Sequence, residues 1–505
     1  MKAWSLHGDT GNAVLRTPDV RSAARPFAPV RALLLPCLLV LLLGSSASSQ
    51  FYYFGRNKVQ YNDFDWKVMR TEHFEIYFYG GMDTLARQGA YFAEESYKIL
   101  EQKFNQSILH RIPLIFYSTH LHFEQTNTTP GFIPEGVGGF FEFLKGRVVI
   151  PYDGSEDHFR HVIRHELVHV FMSSKIARVT RDHRQNTDLS PPLWFTEGLA
   201  EFWSTDWDTQ AEMVLRDAVL NNYIVPLSDM DRIYGSFLMY KEGQALLDFV
   251  DRRYGGEKIL LLMENFWKKK TFSEDFKLTL GKDYKEFDQE WLYDLKKKYY
   301  PSMKTEDMPS RVTKNVVDVG FNGKPAYERI GDKQYVYFIG NHTGYTDLYR
   351  VDLDAKKAEP EVVVAGERTN EFEAFHLFQS RIDISKDGIL AFVTKSGEND
   401  VFHLLDVRTG RIVETIRFKD LVMLGSPSWS PDGKRIVFSA IDNSGASDLY
   451  ILDLSPRALT RLTNDYFDDK DPSWSPDGKV IAFSSDRTTY GDKGKYNLFL
   501  YRLDG

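Results

Sequence analysis

The sequence predicts two folded domains in series: an α+β domain, then an all-β propeller of about four blades that is incomplete as a ring. Three observations carry this. His165-Glu166-Leu-Val-His169 lies in an apolar run at helical spacing, with strand-like aromatic segments before it and helix-like ones after. Beyond residue 312 the texture changes to short strands separated by turn residues. There Ser428-Trp-Ser-Pro-Asp432-Gly recurs as Ser473-Trp-Ser-Pro-Asp477-Gly at a period of 45 residues, the length of a four-stranded blade.

Residues 1–49 read as a secretory signal. Arg21, Arg25 and Arg31 precede the apolar run Ala32–Leu43, which is too short to span a bilayer and ends in Gly44-Ser-Ser-Ala-Ser-Ser. The only cysteine, Cys37, lies inside this segment, so no disulfide or thiolate site is expected in the mature chain, and no transmembrane span either. Export without disulfides fits a bacterial periplasm or cell surface. A formal charge of -8, more acidic still without the leader, excludes a general nucleic-acid binder.

The first domain is expected over 50–298. His73–Tyr79 alternates and is aromatic, which predicts a strand, and Ile112–Tyr117 predicts a second. Between them, 84–104 has helical periodicity. A loop with Gly131, Gly136, Gly138 and Gly139 leads to a strand at 146–150, which includes Val148 and Val149. The metal-motif helix is expected over 158–172, followed by a polar, basic loop from Lys175 to Ser190. Helices are expected again near 208–222, 235–253, 256–269 and 284–298, and a Pro-containing, charged linker over 299–312.

His165 and His169 are four apart, so on a helix their rings share a face and can hold one metal ion. Glu166 lies beside them, in reach of a water on that metal, as a general base. A catalytic zinc takes three protein ligands, and two His with one Glu is a known set. The third candidate is on Trp194-Phe-Thr-Glu197-Gly-Leu-Ala-Glu201, which follows a proline stop and reads as a new helix. Glu197 is expected as ligand, with Glu201, on the same face, as the outer acceptor orienting a ligand imidazole. His183 in the basic loop is a lesser rival ligand, and it reads more readily as a loop histidine.

His165-Glu166-x-x-His169 followed by Trp194-Phe-Thr-Glu197-Gly-Leu-Ala-Glu201 resembles the gluzincin branch of the zincin metallopeptidases. The resemblance implies one Zn2+ on His165, His169 and Glu197, with Glu166 as base. The separation between His169 and Glu197 is longer than in aminopeptidase- and thermolysin-like members. The order strand, helix, strand, loop, strand before the metal helix is similar to the N-terminal half of zincins, where a strand beside the cleft binds extended peptide by backbone pairing. By that likeness Gly138, Gly139, Val148 and Val149 are candidates for the substrate wall. A phenol near 234–240 could stabilise the oxyanion, and Tyr234 and Tyr240 both qualify.

In the second domain, expected over 313–505, Ile384-Ser-Lys-Asp387-Gly is a degenerate third copy of the turn. Strand-like Asp347-Leu-Tyr, Asp400-Val-Phe, Asp448-Leu-Tyr and Asn497-Leu-Phe mark four units. The motif resembles the propeller repeats of TolB-like proteins. About four blades is fewer than propellers usually close with, so this is either a rare small ring or, the favoured reading, a propeller truncated from a longer one.

The expectation is therefore an exported zinc peptidase acting on a peptide or protein, with a propeller that binds a protein partner or restricts entry. The alternative is a non-catalytic propeller scaffold with a zincin-like domain. A propeller-linked serine peptidase is disfavoured because no G-x-S-x-G elbow occurs.

Overall fold

A computed structural model describes residues 58–184, 190–487 and 495–503. The leader expected over 1–49, with Cys37, lies outside the described residues.

The first domain is built on a five-stranded sheet of β1 (Trp66–Arg70), β2 (Phe74–Tyr79), β3 (Ile112–Tyr117), β4 (Phe140–Glu142) and β5 (Arg147–Pro151). Its order is β1-β2-β3-β5-β4. β2, β3 and β5 run parallel, while β1 and β4 pair antiparallel at the two edges. The parallel strands need a crossover, and α1 (Asp83–Phe104) supplies the one between β2 and β3. Its buried stripe of Leu85, Ala86, Ala93, Tyr97, Leu100 and Phe104 is the helical pattern read from the sequence. A short helix α2 (His120–Phe123) precedes the glycine-rich loop.

The metal-motif helix, α3 (Glu156–Asp182), is much longer than the expected 158–172. The basic loop expected from Lys175 is helix as far as Asp182. Lys175 and Val179 are buried and carry the apolar stripe onward. Lys175 is almost fully buried because its Nζ donates to the Phe104 carbonyl at 3.1 Å and to Glu264 at 2.8 Å. A lysine at a core position satisfied by distant partners has the same sequence signature as a solvated one.

Beyond it come α4 (Leu193–Ser204), α5 (Thr209–Leu220), α6 (Phe237–Tyr254), α7 (Glu257–Glu264), α8 (Phe272–Leu280) and α9 (Tyr284–Tyr299). The single helix expected over 256–269 ends at Glu264 and gives way to a short 3-10 turn, Phe266–Lys268. The segment 299–312 forms a 3-10 turn (Tyr300–Lys304) and α10 (Pro309–Val312), neither with a buried residue.

Four sheets follow, each a propeller blade. They are β6 (Asn322–Ile330) to β9 (Glu361–Val364), β10 (Ala374–Phe375) to β14 (Arg411–Arg417), β15 (Leu421–Trp429) to β18 (Arg457–Arg461), and β19 (Asp469–Trp474) to β21 (Asn497–Arg502). In the second blade two short strands, β10 and β11 (Asp383–Ile384), both pair with β12 (Ile389–Ser396), where the other blades have one. The repeated turn closes as its residues require. The Gly433 N–H donates to the Ser430 carbonyl at 2.8 Å, with Gly433 at φ +71°, a conformation costly for any side chain. Successive blades share apolar cores: Tyr337 and Phe375 join the first to the second, Phe402 and Phe438 the second to the third, and Val437 and Trp474 the third to the fourth.

The propeller rests on the first domain. Leu121 of α2 packs against Val422 and Met423 of β15, and Lys395 of β12 reaches Glu124 just after α2.

Candidate metal centre

On α3 the residues His158, His161, His165 and His169 form one row, with successive ring centroids 6.0, 5.8 and 5.0 Å apart. The spacing follows from helical geometry, since positions i, i+3, i+7 and i+11 lie along a single face. Phe159, Val162, Ile163, Leu167 and Val170 turn the remaining faces into the core, so the row sits on a fixed support.

α4 faces that row. Glu197 Oε2 lies 3.3 Å from His165 Nε2 and 3.3 Å from His169 Nε2. Bonds of about 2.0–2.1 Å from a tetrahedral ion to nitrogen and oxygen separate neighbouring ligand atoms by about 3.3 Å. The three residues therefore form a donor set that can close on one cation, and all are largely buried. Burial works to lower the His165 imidazole, but Glu197 and Glu201 outweigh it and raise it to about 10. Burial also opposes ionisation of Glu197, but hydrogen bonds from the two imidazoles hold it down at about 2. The carboxylates thus demand positive charge between them, which a proton on His165 or a divalent ion can supply.

Glu201 lies behind His165. Its Oε1 lies 3.2 Å from His165 Nδ1, the nitrogen turned away from Glu197. Its other oxygen accepts from Lys241 Nζ at 2.7 Å. His161, Glu201 and His165 make a second possible donor group that shares His165. His161 is 3.8 Å from Glu201 and receives or gives a hydrogen bond to Ser204 Oγ at 3.0 Å, and burial lowers its imidazole to about 3. We assign it to the support of Glu201.

Glu166 is 5% exposed, and burial, together with the Glu197 charge, raises its carboxyl. The Phe141 backbone N–H of β4 faces it. Gly139 allows this approach, because a Cβ there would come within 3.0 Å of Val162 Cγ1 and 3.4 Å of Glu166 Cγ. Gly138 is less crowded, 3.7 Å from Val162 in the same sense.

Two expectations need correction. Val148 and Val149 do not line the cleft: β5 is an inner strand, paired with β3 on one side and β4 on the other, and both side chains are fully buried. The edge strand on this side of the sheet, beyond β5, is β4, three residues long and too short to stand out in the sequence. Tyr234 is 68% exposed at the end of a 3-10 turn. The phenol at the site belongs to Tyr240, whose ring lies parallel to His165 at 6.5 Å and whose hydroxyl faces the Glu197 carboxylate. Burial is the main reason its hydroxyl is pushed up. The rival ligand His183 stacks on Trp267 at 3.7 Å and joins neither donor group. Lys241, which bonds to Glu201, carries no signal in the sequence pattern. Paired with Glu242 it interrupts the apolar positions Met239, Leu246 and Val250, which in a bare sequence reads as a solvated spot on the helix.

Residues 383–498 match the TolB beta propeller domain, and the C-terminal region is a TolB-like β-propeller. Among solved structures, the chain is similar to TolB from Acinetobacter baumannii at 28% identity, over 31% of this chain and 35% of that one, with a TM-score of 0.24. A putative TolB from Agrobacterium tumefaciens matches at 27% identity over 37% of this chain and 60% of that one, TM-score 0.28. The chain thus spans less than two thirds of either relative. No helix among the described residues is long and apolar enough to cross a membrane.

Proposed function

We propose that the protein is an exported zinc-dependent peptidase, of gluzincin type, whose α+β domain hydrolyses peptide bonds and whose propeller binds a protein partner or restricts entry to the cleft. The observation that carries the reading is the meeting of His165, His169 and Glu197, with Glu197 Oε2 3.3 Å from each imidazole and the Glu166 carboxyl beside them. A structural ion has no need of a buried carboxyl next to its ligands that makes no bond to it. Export rests on the signal-like segment at 1–49 and on the absence of cysteine after it.

Zinc held there supplies Lewis acidity that polarises a carbonyl and acidifies a water. Glu166, its carboxyl raised by burial, takes the proton from the attacking water and passes it to the leaving amine. The Tyr240 hydroxyl, beside Glu197, donates to the oxygen on which charge develops. Glu201 accepts from His165 Nδ1 and so keeps the metal-facing nitrogen free of its proton. β4 offers its open edge to an extended peptide as an added strand.

Glu166→Gln tests the chemistry. The variant should keep one zinc per chain and lose peptide hydrolysis by about 10²-fold or more. Unchanged cleavage with zinc still bound would end this mechanism. The second reading, a binding scaffold, is favoured by the family match falling on the propeller alone. It is the outcome if the wild-type chain binds zinc and cleaves no peptide.

A further inference from the structure

Two separate chains of contacts run from the second propeller blade to the loop that carries the cleft-edge strand. In the first, Lys395 Nζ of β12 donates to Glu124 Oε2 at 2.6 Å, and both side chains are nearly buried. Glu124 Oε1 lies 3.3 Å from His120 Nδ1, and His120 Nε2 lies 3.1 Å from the Val137 carbonyl oxygen. In the second, the Glu135 carboxylate accepts from the backbone N–H groups of Phe378 and Gln379 at 3.2 and 3.0 Å. It also faces His376 Nδ1 at 3.9 Å, whose Nε2 is 2.7 Å from buried Asp400.

Glu135 and Val137 belong to the same loop, and two residues after Val137 comes Gly139, against Val162 and Glu166. One residue further β4 begins, with the Phe141 N–H directed at Glu166. β4 has only three residues, pairs on one side only, and none of its side chains is buried. A strand this short has little of its own to hold its position. The second blade also departs from its neighbours where it meets the loop. The aspartate that opens the third strand of a blade pairs with an arginine in the first blade (Asp347 with Arg368) and the third (Asp448 with Arg461). In the second blade Asp400 pairs instead with His376, the side chain turned towards Glu135.

We propose that the second blade is a positioning element for the cleft: Glu135, and the Lys395–Glu124–His120 relay, hold the 131–139 loop so that β4 stays in register beside Glu166. The propeller on this view contributes to the geometry of the substrate wall as well as to access. The kinetic consequence rests on the peptidase reading above, whereas the ordering of β4 does not.

The test uses the full chain in two variants, Glu135→Ala and the pair Lys395→Met with Glu124→Gln, the latter chosen so that no charge is left buried and unpaired. Hydrogen exchange is followed over 131–142, α3 and the third blade. Each variant should speed exchange in 131–142 by about tenfold, the effect of losing a charge-assisted hydrogen bond. α3 and the third blade should keep their wild-type protection and zinc affinity should stay within about twofold. With a peptide substrate KM should rise several-fold and kcat change less, because an edge that pairs with substrate is loosened while the ligand set is intact. Unchanged protection of 131–142 in both variants would overturn the proposal, as would an equal loss across the third blade, which would make these contacts general supports of folding. If the wild-type chain cleaves no peptide the exchange result still stands, so failure of the peptidase reading and of this one are told apart.

Discussion

Gly198 of α4 and Gly243 of α6 cross in backbone contact: a Cβ on Gly198 would lie 2.5 Å from the Gly243 carbonyl carbon, and one on Gly243 would lie 2.5 Å from the Trp194 oxygen. This crossing brings Lys241 to Glu201 and Tyr240 to Glu197, so the position of the third donor depends on two residues without side chains.

Gly198→Ala should therefore push the two helices apart. The obstructing atoms are backbone and cannot swing aside, so the cost should be about 1–3 kcal/mol of stability. Zinc affinity should fall with it as Glu197 moves away from the paired imidazoles. Thermal unfolding and chelator competition on the same preparation check both.

Lys241 neutralises and orients Glu201 from 2.7 Å, inside the protein. Lys241→Met should weaken zinc binding by up to about 10-fold, the low end of the range for losing a histidine's own outer partner, because Lys241 acts through Glu201. Lys241→Arg should recover part of that loss. Equal zinc affinity in wild type and Lys241→Met would remove Lys241 from the support of the site.

Tyr240→Phe should lower kcat by roughly 10²-fold while leaving KM and zinc content close to wild type, as expected for a donor used only in the transition state. Tyr234→Phe should change none of these, since that phenol is in solvent. The opposite pattern would return the role to Tyr234.

Glu242 is fully buried on α6, with one oxygen accepting from the Val225 N–H at 3.2 Å and the other without a partner among the described residues. Burial raises its carboxyl from 4.5 to about 8. A carboxyl raised in the folded state contributes stability that is present below its unfolded value and lost as pH rises through its folded one. Its contribution should thus fall away between about pH 4.5 and pH 8. Glu242→Gln, which mimics the protonated form, should flatten the difference in unfolding free energy over this window and be the more stable protein at pH 8. Parallel curves for the two proteins would mean that Glu242 does not titrate there.

The features legible in the sequence are those that depend on spacing along the chain. His165 and His169 share a face because a helix repeats every 3.6 residues, and Glu197 and Glu201 do so for the same reason. The blades are visible because Ser-Pro-Asp-Gly closes the same turn each time it recurs. Features that depend on a distant partner left no such trace. Lys175 looks solvated until Phe104 and Glu264 are seen around it, and β4 looks like loop until it pairs with β5. Tyr240 is separated from Tyr234 only by where α6 begins, and Lys241 finds Glu201 only because two glycines let their helices touch. Local periodicity determined which side chains could meet a cation, and the sequence alone carried that. Which residues press those side chains into place, and which strand edges the cleft, was decided by packing between segments far apart in the chain, because burial and hydrogen-bond partners there are set by the fold as a whole.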